Sequence, residues 1–270
     1  MNQAVTGVAS QSAAIRHVEI DRPWSWLKAG WRDLVAAPIV SLSYGFVFTL
    51  IGFLLTAGLF AIDLYYLILP MTGGFLIIGP LAAVGLYEIS RRRALGEKTT
   101  FAEAIFAWRR NTTQIALVGI ALMLMLMFWG RFATIIFMLY FGVGNVPSID
   151  NLIVETFLTP SSLPFLFIGI VVGGVMAAAT FAIAAVSIPM LLDRPQANVI
   201  DAIVTSIRAV LQNPKAMALW ALLIVLFVGA GLATLYIGLI VALPLIGHAT
   251  WHAYTDLVQH TGAPSGGPAA

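Results

Sequence analysis

Six apolar runs divide the chain, at 39–62, 65–89, 114–140, 163–191, 216–233 and 235–257. Each approaches the length a helix needs to cross about 30 Å of hydrocarbon at about 1.5 Å per residue. The runs come in pairs with short breaks. Asp63 marks the first break, and Gly229 and Gly231 mark the last. The stretch from Met217 to Ile246 is too long for one ordinary span, so the pattern predicts a hairpin there. A single tilted or re-entrant segment is the alternative. Residues 1–22 lack the apolar core of a signal sequence, and 259–270 are rich in Gly, Pro and Ala. Both are expected to be disordered tails around a membrane domain at 23–258.

The segments between the pairs carry helical patterns of their own. Trp24, Leu27, Trp31, Leu34 and Val35 recur at helical spacing. Thr100-Phe-Ala-Glu103 reads as a capping box ahead of Ala104, Ile105 and Trp108. Ile200, Ile203, Val204, Ile207 and Leu211 form an apolar stripe, with Asn198 as the N-cap. Each pattern ends near Pro38, Asn111 or Asn213-Pro214 and then feeds an apolar run. The chain therefore reads as all-α and polytopic: six transmembrane helices in three pseudo-repeated units, each an amphipathic helix plus a helical hairpin. Arg32 and Pro38 match Arg208 and Pro214 at one common offset. Trp24, Trp31, Trp108, Ile203 and Ile207 mark these helices as interfacial, with apolar faces toward acyl chains and basic faces toward anionic membrane lipids.

Composition narrows the class. The 270 residues are 60% hydrophobic and 10% charged, with a mean hydropathy of +0.95. A soluble domain carries about 25% charge, and a disordered chain is far less apolar. The absence of cysteine removes disulfide scaffolds, thiolate metal sites, iron–sulfur clusters and cysteine nucleophiles. A net charge of +2 gives no argument for nucleic acid. The placement of basic residues says more. They lie in 1–38, in 90–113 (Arg91, Arg92, Arg93, Lys98, Arg109, Arg110) and in 192–215, with Arg131 the one exception. The connections near 63, across 142–162 and near 231 hold none. The positive-inside rule then predicts a multi-pass protein of the inner membrane with both termini cytoplasmic.

Several longer motifs are distinctive. They are Trp26-Leu27-Lys28-Ala29-Gly30-Trp31-Arg32-Asp33 with Pro38 and Ser41-Leu42-Ser43-Tyr44-Gly45; Gly79-Pro80-Leu81 with Gly85-Leu86-Tyr87-Glu88; Val186 to Arg194; and Gly247 to Tyr254. Over about residues 16–258 these resemble the bacterial integral membrane family catalogued as domain of unknown function 2189. Some members carry the label of putative cytochrome c oxidase subunit. The resemblance implies association with a respiratory oxidase at most, and it transfers no catalytic site.

His248 and His252 are four apart and share a helix face, a spacing that can hold two ligands of one metal. A haem takes axial ligands from opposite sides, and a haem–copper centre needs more histidines than this chain has. The expectation is therefore interfacial polar residues, no cofactor and no oxidase catalytic core. Glu88 and His252 occupy one register counted from Pro80 and Pro244. They can meet as a proton-handling pair, or Glu88 can pair with Arg91 or Arg92. Arg131 lies toward the far end of span 3, where it can snorkel to the interface or pair with Asp63 at the same depth. Gly169 and Gly173 form a GxxxG expected to pack helices closely. Nucleotide-binding, HExxH and Gly-x-Ser-x-Gly motifs are absent from the sequence.

Two functional classes follow. One is a non-catalytic accessory or assembly component packed against other integral membrane proteins, with a respiratory complex as one candidate. The other is a transporter or channel for a small or lipidic solute. A cavity lined by Glu88, Arg131 and the histidines would favour the transporter. A closed bundle with apolar outer grooves would favour the accessory role.

Overall fold

The computed structural model describes residues 13–142, 154 and 159–259. Eleven α-helices form among them: α1 Arg22–Ala36, α2 Pro38–Ala61, α3 Ile68–Ala82, α4 Val84–Ala94, α5 Phe101–Ile105, α6 Thr112–Phe141, α7 Leu163–Ala184, α8 Ser187–Asp193, α9 Val199–Gln212, α10 Pro214–Ala233 and α11 Leu239–Leu257. Five segments are long and apolar enough to cross a membrane: Pro38–Ala61, Pro70–Ala94, Ala107–Phe141, Leu163–Asp193 and Pro214–Ala233. The sixth expected span is α11, with 19 residues. Its second half carries His248, Thr250, His252, Thr255 and Asp256, and composition alone does not mark it as a span.

The chain bends in the same way at three places. Ala37 has φ −130° and ψ 55°, Asn111 has φ −150° and ψ 63°, and Asn213 has φ −125° and ψ 51°. The next residue in each case starts an apolar helix: Pro38, Thr112 or Pro214. Proline suits such a position, because its missing N–H is one of those a helix start leaves unpaired. The segment before the bend differs in length. α1 and α9 are full helices, whereas the middle unit has only α5 and a 3-10 turn at Ala107–Asn111. The capping box forms as expected, with Thr100 accepting from the Glu103 N–H and the Glu103 carboxylate accepting from the Thr100 N–H.

The last hairpin turns at Thr234–Gly238, beyond Gly229 and Gly231. Leu235 and Tyr236 adopt positive φ there. Thr49 and Thr56 of α2 hold this turn, the first by donating to the Tyr236 carbonyl at 3.1 Å and the second by bonding the Tyr236 hydroxyl at 2.6 Å.

Glycine lets backbones touch around α11. A Cβ on Gly45 would collide with the Ile240 carbonyl, and one on Gly30 would strike the Ala249 backbone. The expected GxxxG does not act this way. Gly169 faces open space, and Gly173 makes room for the Trp129 ring. Close approach is instead set by single glycines on helices that contact α11.

The stripe on α9 faces outward. Ala202, Thr205, Ser206 and Ala209 are buried, while Ile200 and Leu211 are 70% and 71% exposed. Small residues pack inside and large aliphatic ones face the surroundings, the arrangement expected where the surroundings are lipid. The α1 stripe splits. Leu27 and Leu34 are buried, and Trp24 and Trp31 are exposed. Residues 13–22, expected within a disordered tail, are held in place. Ile15 bridges to Val258, and the Asn213 side chain accepts from Val18 N–H at 2.8 Å and donates to the Arg16 carbonyl. The described ends of the chain thus meet at one end of the bundle. Residues 1–12 and 260–270 lie outside the described residues.

Candidate functional site

The polar end of the bundle is built from α1, α4 and the second half of α11, with Ser41 of α2 at its edge. Asp33 follows Gly30 by one helical turn, so the close α1–α11 contact carries its carboxylate to α11. His248 is fully buried. Its Nδ1 lies 2.8 Å from Ser90 Oγ, and its Nε2 lies 2.9 Å from Ser41 Oγ. Ser90 donates its single hydroxyl proton to Asp33 Oδ2 at 2.6 Å. Ser90 Oγ must therefore accept from His248, which places the ring proton on Nδ1 and leaves Nε2 to accept from Ser41. The result is a directed chain, Ser41 to His248 to Ser90 to Asp33.

Asp33 collects three donors. His252 Nε2 lies 2.8 Å from Oδ2, and Arg93 pairs with Oδ1. Burial pushes the Asp33 carboxyl up. The hydrogen bonds from His252 and Ser90, together with the nearby rings, outweigh burial and hold it below its ordinary value.

The register pair Glu88–His252 does not meet. Glu88 is 1% exposed and takes a bidentate bond from Arg91 at 2.7 and 2.9 Å and one from Arg92 at 2.7 Å. Arg110 stands 3.8 Å away. Arg92 also reaches Glu103, which ties α4 to the capping box. His252 turns to Asp33 of α1 instead, while the Glu88 carboxylate is taken up by the arginines of its own helix and by Arg110. The alternative of Glu88 with Arg91 or Arg92 is what forms.

Arg131 and Asp63 are both exposed, and among the described residues no ion pair joins them. His248 and His252 serve different partners, and no group of three or more His, Asp or Glu stands ready for a metal among the described residues. Trp108 is partly exposed, and the Arg109 guanidinium lies over Phe106 and Trp108 at 4.3 and 5.7 Å from the ring centres. Ile203 and Ile207 are half-buried.

Sequence reasoning found His248, His252 and Glu88 but not the residues that complete the cluster: Asp33, Ser41, Ser90 and Arg93. Asp33 and Ser41 sit inside the quoted Trp26–Gly45 motifs, so a signal existed. It could not show that both point at α11.

A cavity of about 810 Å³ lies between α7 and α10, with residues of α3, α6 and α11 completing its wall. None of Glu88, Arg131, His248 or His252 lines it. Its walls are mainly apolar, with Trp129, Thr180, Trp220 and Thr250 among its few polar side chains.

No curated protein and no solved structure matches the chain. Residues 68–193 match the family described as predicted integral membrane protein (DUF2189). This stretch runs from α3 through α8 and contains Glu88, Ser90 and the arginines of α4. Over these residues the resemblance seen in the sequence motifs holds, and this part of the chain is similar to that integral membrane family.

Proposed function

We propose that the protein is a non-catalytic accessory or assembly component of the bacterial inner membrane, with its polar end and both termini in the cytoplasm. The separation of charge from cavity carries this reading. The ionisable side chains Asp33, Glu88, Arg91, Arg92, Arg93 and His252 satisfy one another in a tight layer. The cavity, by contrast, touches no charged group. A path for ions or protons needs polar groups along the membrane depth. A layer of mutually paired charges instead makes a rigid base from which apolar faces are presented to neighbours. A respiratory complex is one candidate neighbour.

The test is purification of the full-length protein in mild detergent, with mass spectrometry and haem spectra of what co-purifies. Another integral membrane protein in stoichiometric amount is the expected result, with haem absorbance only when that partner brings it. A homogeneous protein without partners, together with a Soret band lost in His248→Ala, would overturn the reading.

The cavity favours a second reading, binding of a lipidic solute. Its volume falls in the range of about 300–1,000 Å³ typical of sites for small molecules.

A further inference from the structure

The three units create three seams where the second apolar helix of one unit meets the first of another. At two of them the helices pack directly, α3 on α6 and α11 on α2. Glycine assists both: a Cβ on Gly74 would strike Leu126, and one on Gly45 would strike the Ile240 backbone. The third seam lies between α7 and α10. These helices do not close on each other, and the cavity of about 810 Å³ fills the gap. Small residues are present here too, but Gly174 meets nothing within 4 Å.

We infer that this third seam is a lateral binding site for an acyl chain of a membrane glycerolipid, entered from the bilayer between α7 and α10. The inference rests on the lipidic-solute reading and names its ligand class. Both walls belong to segments apolar enough to span, so the open side faces hydrocarbon. A partner's transmembrane helix is too large. About 20 residues make a cylinder roughly 30 Å long and 10 Å wide, or about 2,400 Å³. A single hydrocarbon chain fits the space available.

The lining has no charge to neutralise a headgroup, which suits a ligand whose head stays at the interface. Thr180 and Trp220 stand on opposite walls, toward the polar end. Their hydroxyl and indole N–H are buried without a partner among the described residues. Both groups are enclosed by protein, so an acyl chain meets these walls through apolar contact and not through a hydrogen bond.

The test reconstitutes the full-length protein in nanodiscs of phosphatidylethanolamine and phosphatidylglycerol containing a phosphatidylglycerol with a diazirine in its acyl chain. After illumination, labelled residues are mapped by mass spectrometry. Labelling at Ala177 and Ala221, which line the seam, is expected to exceed severalfold that at Leu124 and Met127, which are exposed elsewhere on α6. The double variant Ala177→Phe, Ala221→Phe is expected to bring seam labelling down to the α6 level while the melting temperature holds or rises. Equal labelling at both places would overturn the inference. So would a polypeptide captured at Ala177, or a quantitative disulfide in Ala177→Cys, Ala221→Cys, which would mean that the seam is shut. A partner protein that co-purifies while labelling is equal would remove this inference and leave the accessory proposal standing. Retained lipid without a partner would do the reverse.

Discussion

The polar end and the α7–α10 seam hold their helices by different means. At the polar end, α1, α4 and α11 are locked by directional bonds: four side chains converge on or around Asp33, and Gly30 lets the α1 and α11 backbones touch. At the seam, apolar surfaces face each other across open space. The contrast follows from the solvent. Inside a bilayer, lipid tails are as apolar as leucine, so apolar surfaces gain little by choosing protein over lipid. Close contact there needs an exact fit or a polar bond. The polar end has both; the α7–α10 seam has neither.

The largest effect is expected from breaking the polar end. Asp33→Ala removes the acceptor of Ser90, His252 and Arg93 and leaves their donors facing a buried gap. A loss of about 3 kcal/mol is expected, read as a lowered melting temperature in detergent. Asp33→Asn keeps the shape and should recover part of it. Equal stability of Asp33→Ala and the native protein would remove the directed chain as a stabilising element.

Glycine substitutions sharpen the comparison. Gly45→Ala forces a methyl group against the Ile240 carbonyl and should cost about 1–3 kcal/mol. Gly169→Ala, facing open space, should be neutral or raise stability by up to about 1 kcal/mol through helix propensity. The same unfolding assay checks both, and a reversed order would contradict the packing described.

The outward stripe of α9 gives a third test. Changing Ile203 and Ile207 together to Asp places two charges on the large-aliphatic face of α9, and should destabilise the protein or lift α9 from the bundle. Arg208→Gln should do much less, since a surface charge near anionic lipid contributes about 1 kcal/mol. Spin-label accessibility along 199–211 should vary with a period of about 3.6 residues.

The smallest effect concerns the capping box. Hydrogen bonds from the Thr100 backbone and side chain, with Arg92 nearby, push the Glu103 carboxyl down to about 2. A lowered carboxyl stabilises the fold above its ordinary value near 4.5 and loses that contribution as pH falls toward 2. Glu103→Gln should therefore lower the melting temperature slightly at pH 7. The difference should vanish as pH approaches 2, and one that persisted there would mean the carboxylate charge is not involved.

Much of the fold could be read from local pattern. The apolar runs, the bends before Pro38, Thr112 and Pro214 and the Thr100–Glu103 box all depend on residues near one another in the chain. The site was legible only in part. His248 and His252 drew attention as a spaced pair, yet their partners lie more than a hundred residues away on other helices. Register alone pointed His252 at Glu88, because counting along two helices cannot see that a third, α1, brings Asp33 to His252.

The sequence by itself determined the class of the protein, its apolar helices and their breaks, since hydropathy, proline and capping act over a few residues. It also determined the family that residues 68–193 match. The tertiary structure alone decided which carboxylate each histidine and arginine meets, which glycines bring backbones together and which seam stays open. These are outcomes of packing between distant segments. In a bilayer, where apolar surface gives little direction, they depend on a few polar bonds and on shape.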